Sequence, residues 1–303
     1  MHHGTAAATV ATLLTTALAL APTATAAPPR AVVVPCGAVL TSSVRLAADV
    51  GCPGGNGITL AADGIELNLN GHAITGPGAA PGERRDVGVR VRAQDVVVRN
   101  GTVGGWSIGV LAGTDPYEED EEGPVSAVVR QARLEGNSSG VEVRREGDVE
   151  VRSTWFVGNG LGGYALTGGR LLVEHSTADR NGSGFASFEV DRDGLVVRDT
   201  AVRGNSGAGV ACGTDGHAVL ERTTLQRNGV GLDAFLCSAR VSDSAFVWNG
   251  RHTSAYLVDR DTVEVTCTTF TRDGGPLTFE TEPCATGGAG VSGTMLPWET
   301  APR

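Results

Sequence analysis

Residues 140–160, GVEVRREGDVEVRSTWFVGNG, and residues 184–206, GFASFEVDRDGLVVRDTAVRGNS, are two copies of one pattern. Each places Val two residues after another apolar position, an apolar residue five further on, and then Asn. The same Asn stands at 137, 159, 181, 205, 228 and 249, spaced by 22, 22, 24, 23 and 21 residues. Eight positions before it stand Val129, Val151, Val173, Val197, Leu220 and Val241; three before stand Leu134, Phe156, Ala178, Val202, Leu225 and Phe246. A fixed period in this range is the mark of a solenoid.

Apolar pairs two apart are strand spacing, and no segment keeps the i, i+3, i+4, i+7 spacing of a helix. Asn159-Gly160, Asn181-Gly182 and Asn228-Gly229 supply turn chemistry between the strands. Each repeat therefore closes one coil of three short strands and three bends, and coils stack at about 4.8 Å into parallel sheets around a continuous core. The register extends upstream, with Trp106 and Pro77 in the Asn slot, and downstream, with Asp273 there. An inward Asn at a bend uses its amide on the coils above and below, so the column predicts a ladder. Asn100, Asn137 and Asn181 lie in N-x-S/T sequons, but two of them occupy the ladder slot, and we read the sequons as coincidental.

The two quoted stretches resemble the repeat of right-handed parallel β-helices, the pectate-lyase-like superfamily. The run GIELNLNGHAITG at 64–76 resembles the opening coil of its secreted bacterial members. The resemblance covers roughly residues 36 to 275. It implies an all-β, right-handed parallel β-helix solenoid of about ten coils, capped at both ends. It implies little about activity, since the fold carries lyases, hydrolases, esterases and non-enzymes. The expected organisation is a signal peptide at 1–26, an N-terminal cap at 27–55, the β-helix at 56–275 and a C-terminal cap or tail at 276–303.

Composition agrees with a thin solenoid: 41% of residues are hydrophobic but 5% aromatic, so the core is built from small aliphatics. The formal charge of −10 argues against nucleic acid or an anionic membrane as partner. All 24 basic residues are Arg, which reads as a composition bias. The apolar run Val10 to Leu20 followed by Ala24-Thr25-Ala26 reads as a secretory signal with its cleavage site, although only His2 and His3 stand in for the usual basic start. That run is too short to span a membrane, and no second candidate exists, so the expected localisation is secreted. Six cysteines fit an oxidising compartment, and chain order suggests Cys36–Cys52, Cys212–Cys237 and Cys267–Cys284 among the 15 connectivities open to six. Paired C-x-x-C spacing, which zinc would favour, is lacking.

Three groups are candidates for chemistry. Seven before the Asn stand Arg130, Arg152, Glu174, Arg198 and Glu221; six before stand Gln131, Ser153, His175, Asp199, Arg222 and Asp243. One reading is a charge ladder that penalises register slips. The other is a catalytic centre of His175, Asp199 and Arg222, because His175 beside Asp199 is the one His/carboxylate pair that the repeat register puts on adjacent coils. The second group is acidic: Asp115 to Glu122, DPYEEDEE, is inserted in a coil of 31 residues, with Asp95, Asp148, Asp191, Asp193 and Asp215 near other bends. A solvated loop is the plain reading, and Ca²⁺ on hard oxygen ligands the sharper one, without EF-hand spacing to support it. No resident cofactor or metal is expected. The third group is the face of the post-Asn strand, where polysaccharide-active relatives place substrate; Glu142, Arg144, Arg192 and Asp233 are its substrate-binding candidates, with Arg145 near them.

Polygalacturonase-like hydrolases carry Asp pairs and a Gly-His-Gly beside that strand. Here the slots read Ser138-Ser139, Gly160-Leu161, Gly182-Ser183, Ser206-Gly207-Ala208 and Gly229-Val230, so the acid and base of hydrolysis are missing. Asn70-Gly71-His72 and Gly216-His217 read as corner residues. A lyase needs a base and a cation for the uronate carboxylate, which Arg144, Arg145 or Arg192 could supply. The expected function is binding, with processing as an extension, of an extracellular polysaccharide; the alternative is a non-catalytic structural or surface-interaction solenoid.

Overall fold

The computed structural model describes residues 1, 30–78, 86–114, 123–191, 193–258, 260–271, 281–284 and 290–296. The signal segment, the insertion Asp115 to Glu122, Arg192, Asp273 and most of 276–303 lie outside the described residues. Described residues contain strands and no helix, and none of them forms a helix long and apolar enough to cross a membrane.

Each repeat contributes three strands to one coil, as in Gly147–Arg152, Trp155–Val157 and Leu161–Leu166. The post-Asn strands stack into a ten-stranded parallel sheet, and the other two sets join into a twenty-stranded one. Val129, Val151, Val173, Val197, Leu220 and Val241 pair directly from coil to coil. Leu134, Phe156, Ala178, Val202, Leu225 and Phe246 do the same. Both columns are buried and belong to one core running the length of the stack. Volume is balanced between neighbours: Phe156 meets Phe185 edge-on at 5.3 Å, and Phe185 lies over Gly163, where a Cβ would come within 3.1 Å of its ring.

The Asn column is the ladder expected. Asn159 Oδ1 accepts from the backbone N–H and from Nδ2 of Asn137, both at 3.0 Å. Its own Nδ2 donates to Asn181 Oδ1 at 3.0 Å and to the Leu134 carbonyl at 2.9 Å. The pattern continues through Asn249, and every member is at most 3% exposed. Buried amides are tolerable because each donor and acceptor is used. At the upstream end Trp106 takes the slot: its backbone N–H donates to Asn137 Oδ1, and its indole N–H reaches the Ile74 carbonyl at 3.2 Å, the bond an Asn amide would make. Downstream, buried His252 lies 3.5 Å from Asn249 Nδ2 and donates its Nε2–H to the Thr271 carbonyl at 2.6 Å.

Two further columns are legible in the sequence once the register is known. Thr154, Ser176, Thr200, Thr223, Ser244 and Thr268, five before the slot, are buried. Each hydroxyl donates to the carbonyl two residues back, and most accept a backbone N–H from the preceding coil. Gly57, Gly88, Gly109, Gly140, Gly162, Gly184, Gly209 and Gly231 form the other column. A Cβ on each would stand 2.3–2.8 Å from the carbonyl oxygen of its counterpart one coil on. The column ends at His252, where the ten-stranded sheet ends and a side chain fits.

Strands within 27–55 already pair with the first full coil, Val39 with Thr59 and Val44 with Leu67, so the expected N-terminal cap contributes an irregular coil. At the other end Val291–Met295 lies antiparallel on Val263–Phe270 and closes that edge. Disulfides join Cys36 to Cys52, Cys212 to Cys237 and Cys267 to Cys284, with Cα separations of 5.5, 5.9 and 4.9 Å. The first and third tie the ends, and the second staples neighbouring coils.

Candidate functional site

The column six before the Asn is a corner. Gln131, Ser153, His175, Asp199, Arg222 and Asp243 all have φ between 47° and 51°, the left-handed bend that joins two strands of a coil. Such a bend throws the side chain outward, so the column is a ridge on the surface. On it Arg222 clamps both oxygens of Asp199, at 2.8 and 2.9 Å. The Arg222 guanidinium beside Asp199 holds its carboxyl below the usual carboxylate range, with smaller help from His175 and Arg198. His175 is exposed and makes no hydrogen bond to Asp199 among the described residues. The three candidates are therefore neighbours on one ridge, with no direct hydrogen bond from imidazole to carboxylate among the described residues. Asp199 is engaged on both oxygens, and an acceptor so occupied is a poor base.

Beside the ridge runs the expected charge ladder. Glu174 lies 3.5 Å from Arg152 and 3.8 Å from Arg198, and Glu221 lies 2.8 Å from Arg198. Upstream, Glu66 serves Arg99 at 2.7 Å and Arg130 at 3.9 Å, which relieves two stacked arginines. Exposed pairs of this kind contribute about 0–1 kcal/mol each and chiefly fix register.

A hydrogen-bonded His/carboxylate pair lies elsewhere, which corrects the register expectation. His72 Nδ1 is 3.1 Å from Asp49 Oδ1, and Asp49 also accepts the Ala73 backbone N–H at 3.0 Å. These two contacts, the backbone one first, hold the Asp49 carboxyl low. Asp49 stands in the irregular first coil, upstream of where the Asn register applies. The 23-residue gap between the pair, one coil length, was the available signal.

On the ten-stranded sheet the outward row reads Arg90, Leu111, Glu142, Tyr164, Ala186, Ala211, Asp233 and Ser254. After Arg90, Leu111 joins Val87 and Ile108 in a small buried cluster apart from the main core. Glu142 and Arg144 form an ion pair at 2.7 Å with each side chain 11% exposed. Tyr164 is the next residue along; burial first, then the charges of Glu142 and Glu189, push its phenol up, so it remains a donor at neutral pH. Ala186 and Ala211 make a low floor, and Asp233 follows, with exposed Phe235 stacked on Tyr256 at 5.3 Å. Glu142, Arg144 and Asp233 thus share a face, but Asp233 lies four coils, about 19 Å, from Glu142. Tyr164, Phe235 and Tyr256 were not among the sequence candidates. Counting from the Asn placed them: Tyr164 falls five after it, like Glu142 and Asp233, and Phe235 and Tyr256 fall seven after it, like Arg144.

Among the described residues no three His, Cys, Asp or Glu side chains gather as a metal site. Asp148 is paired with Arg170 at 3.2 Å, and Asp95, Asp193 and Asp215 occupy left-handed bends. Asn137 and Asn181 of the sequons are buried in the ladder, closed to modification.

The profile of the family described as right handed beta helix region matches residues 117–270, half of the chain. No curated protein matches it. A solved structure from Geobacillus virus E2, ORF18, is similar over 76% of this chain at 10% identity and a TM-score of 0.32; the match spans 56% of that protein's length.

Proposed function

This chain belongs to the right-handed β-helix family, and we propose that it binds an extracellular polysaccharide along the outer face of its ten-stranded sheet. One observation carries the reading. The middle of that face holds a buried Arg–Glu pair and a protonated Tyr at one side of an alanine floor, and Asp233 with two exposed aromatics at the other. The outward row of the twenty-stranded sheet that runs from Arg99 to Glu221 is instead closed by ion pairs. A floor bounded by aromatic and polar groups suits a sugar chain lying along the solenoid axis, stacked on rings and hydrogen-bonded at its edges. Arg144, held by Glu142, is the cation that a uronate carboxylate on this face would meet, with Tyr164 a donor beside it. Three disulfides accord with an oxidising compartment outside the cell.

Turnover is the extension of this reading that the His175 ridge does not favour. The second reading, a structural solenoid, draws on the same ridge, whose Asp199–Arg222 clamp looks like register control. A glycan array run beside assays for new reducing ends and for ultraviolet-absorbing unsaturated products separates them. Binding that falls with Tyr164→Ala or Arg144→Ala supports the proposal. Absence of binding and of products supports the structural reading. Products abolished by His175→Ala at an unchanged melting temperature would restore the catalytic one.

A further inference from the structure

Among the described residues four large aromatic side chains stand about half exposed: Trp155, Phe235, Trp248 and Tyr256. Three have a ring face occupied. Phe235 and Tyr256 stack on one another, and Arg227 lies 4.9 Å over Trp248. Among the described residues no ring or guanidinium stacks on Trp155, which is 56% exposed.

Trp155 also breaks its column. On the coil before it stands Arg133, and from coil to coil after it the position reads Thr177, Ala201, Thr224, Ala245 and Thr269, all small. Packing asks for nothing large here. At the same level the ridge changes character: Gln131, Ser153 and His175 precede the charged run Asp199, Arg222 and Asp243. On the coils of Arg133 and Trp155 both columns thus depart from the rest of the repeat. The result is a depression of 380 Å³ lined by Gln131, Ser153, Trp155, His175 and Thr177, with buried Thr154 behind. No carboxylate or guanidinium lines it, although charge ladders run beside it.

We infer that Trp155, with His175, Gln131 and Ser153, forms a subsite for one neutral pyranose ring. The open indole face takes the C–H face of the sugar, and the imidazole, amide and hydroxyl on the ridge take its hydroxyls. A lining without guanidinium offers a uronate carboxylate no fixed cation, which favours neutral sugars. The subsite lies off the ten-stranded face and stands or falls independently of the reading given to that face.

The test is titration of the protein with cellohexaose, mannohexaose and maltohexaose, with hexagalacturonate as charged control, read by calorimetry and tryptophan emission. At least one neutral hexaose binds and shifts the emission. Trp155→Ala weakens that binding about tenfold or more and removes the shift, and His175→Ala weakens it about threefold or more. Trp248→Ala leaves it within about twofold. If Trp155→Ala does not fold, His175→Ala and Gln131→Ala, both at exposed positions, decide the question in its place: unchanged binding in both overturns the inference. Failure of every neutral hexaose to bind overturns it, as does binding that survives Trp155→Ala. Loss with Tyr164→Ala alone overturns it too, while leaving the ten-stranded face as the binding surface.

Discussion

Two columns run through the same coils six residues apart, the Asn slot and the bend ridge. In the first, six buried asparagines repeat one hydrogen-bond pattern on every coil. In the second, residues of any charge occupy one backbone conformation and pair when a partner is in reach. Burial explains the difference. An unsatisfied amide in the interior costs about 1–3 kcal/mol, whereas an exposed ion pair is worth little. Identity is fixed where water is excluded, and only geometry is fixed where it is not. The ridge is consequently free to vary, and variation there reports either drift or use.

The contrast should break first at the ladder. Asn181→Leu removes both acceptor bonds made to Asn159 and the two amide donations, one to Asn205 and one to Phe156. A loss of roughly 4 kcal/mol is expected in chemical denaturation. A loss below about 1 kcal/mol would show that the ladder is not the fold's internal support. Next comes the staple between coils: Cys212→Ala with Cys237→Ala should cost about 3 kcal/mol for a loop of this length. Gly162→Ala follows, at about 2 kcal/mol, because its Cβ would come within 2.4 Å of the Gly184 carbonyl and the coil must shift.

The ridge should behave oppositely. Arg222→Ala is expected to leave the melting curve superimposable on wild type. Its trace appears in titration instead: the Asp199 carboxyl, held low by Arg222, should return toward the ordinary range in the variant when followed by NMR. Because the folded carboxyl titrates below its unfolded value, the small stabilisation is present above the unfolded pKa and disappears as pH falls through the folded one. A melting curve that falls steeply in Arg222→Ala at neutral pH would make the ridge structural in the same sense as the ladder.

Much of the fold was legible because burial fixes identity. Val151, Phe156 and Asn159 each recur in kind, and the period alone stacks them. The hydroxyl column at Thr154 and the glycine column at Gly162 were equally periodic, yet they become meaningful only with the geometry, since neither Thr nor Gly announces an inward direction. The site was less legible. Outward residues such as Tyr164 and Asp233 obey no identity rule, so the register places them on a face without saying that they act. Asp49 and His72 escaped because the first coil lacks the Asn from which positions are counted. Arg192 lies outside the described residues, and its candidacy stands as the sequence left it.

If the ten-stranded face meets the polysaccharide, the His175–Asp199–Arg222 ridge should carry none of the uronate binding. Calorimetric titration with hexagalacturonate and hexamannuronate, across four variants, sets the two surfaces against each other. Wild type is expected to bind at least one of the two chains. Arg144→Ala and Tyr164→Ala should weaken that binding about tenfold, and Asp199→Asn and Arg222→Ala should leave it unchanged. Unchanged binding in the first pair with loss in the second, or no binding of either chain by wild type, would contradict the assignment.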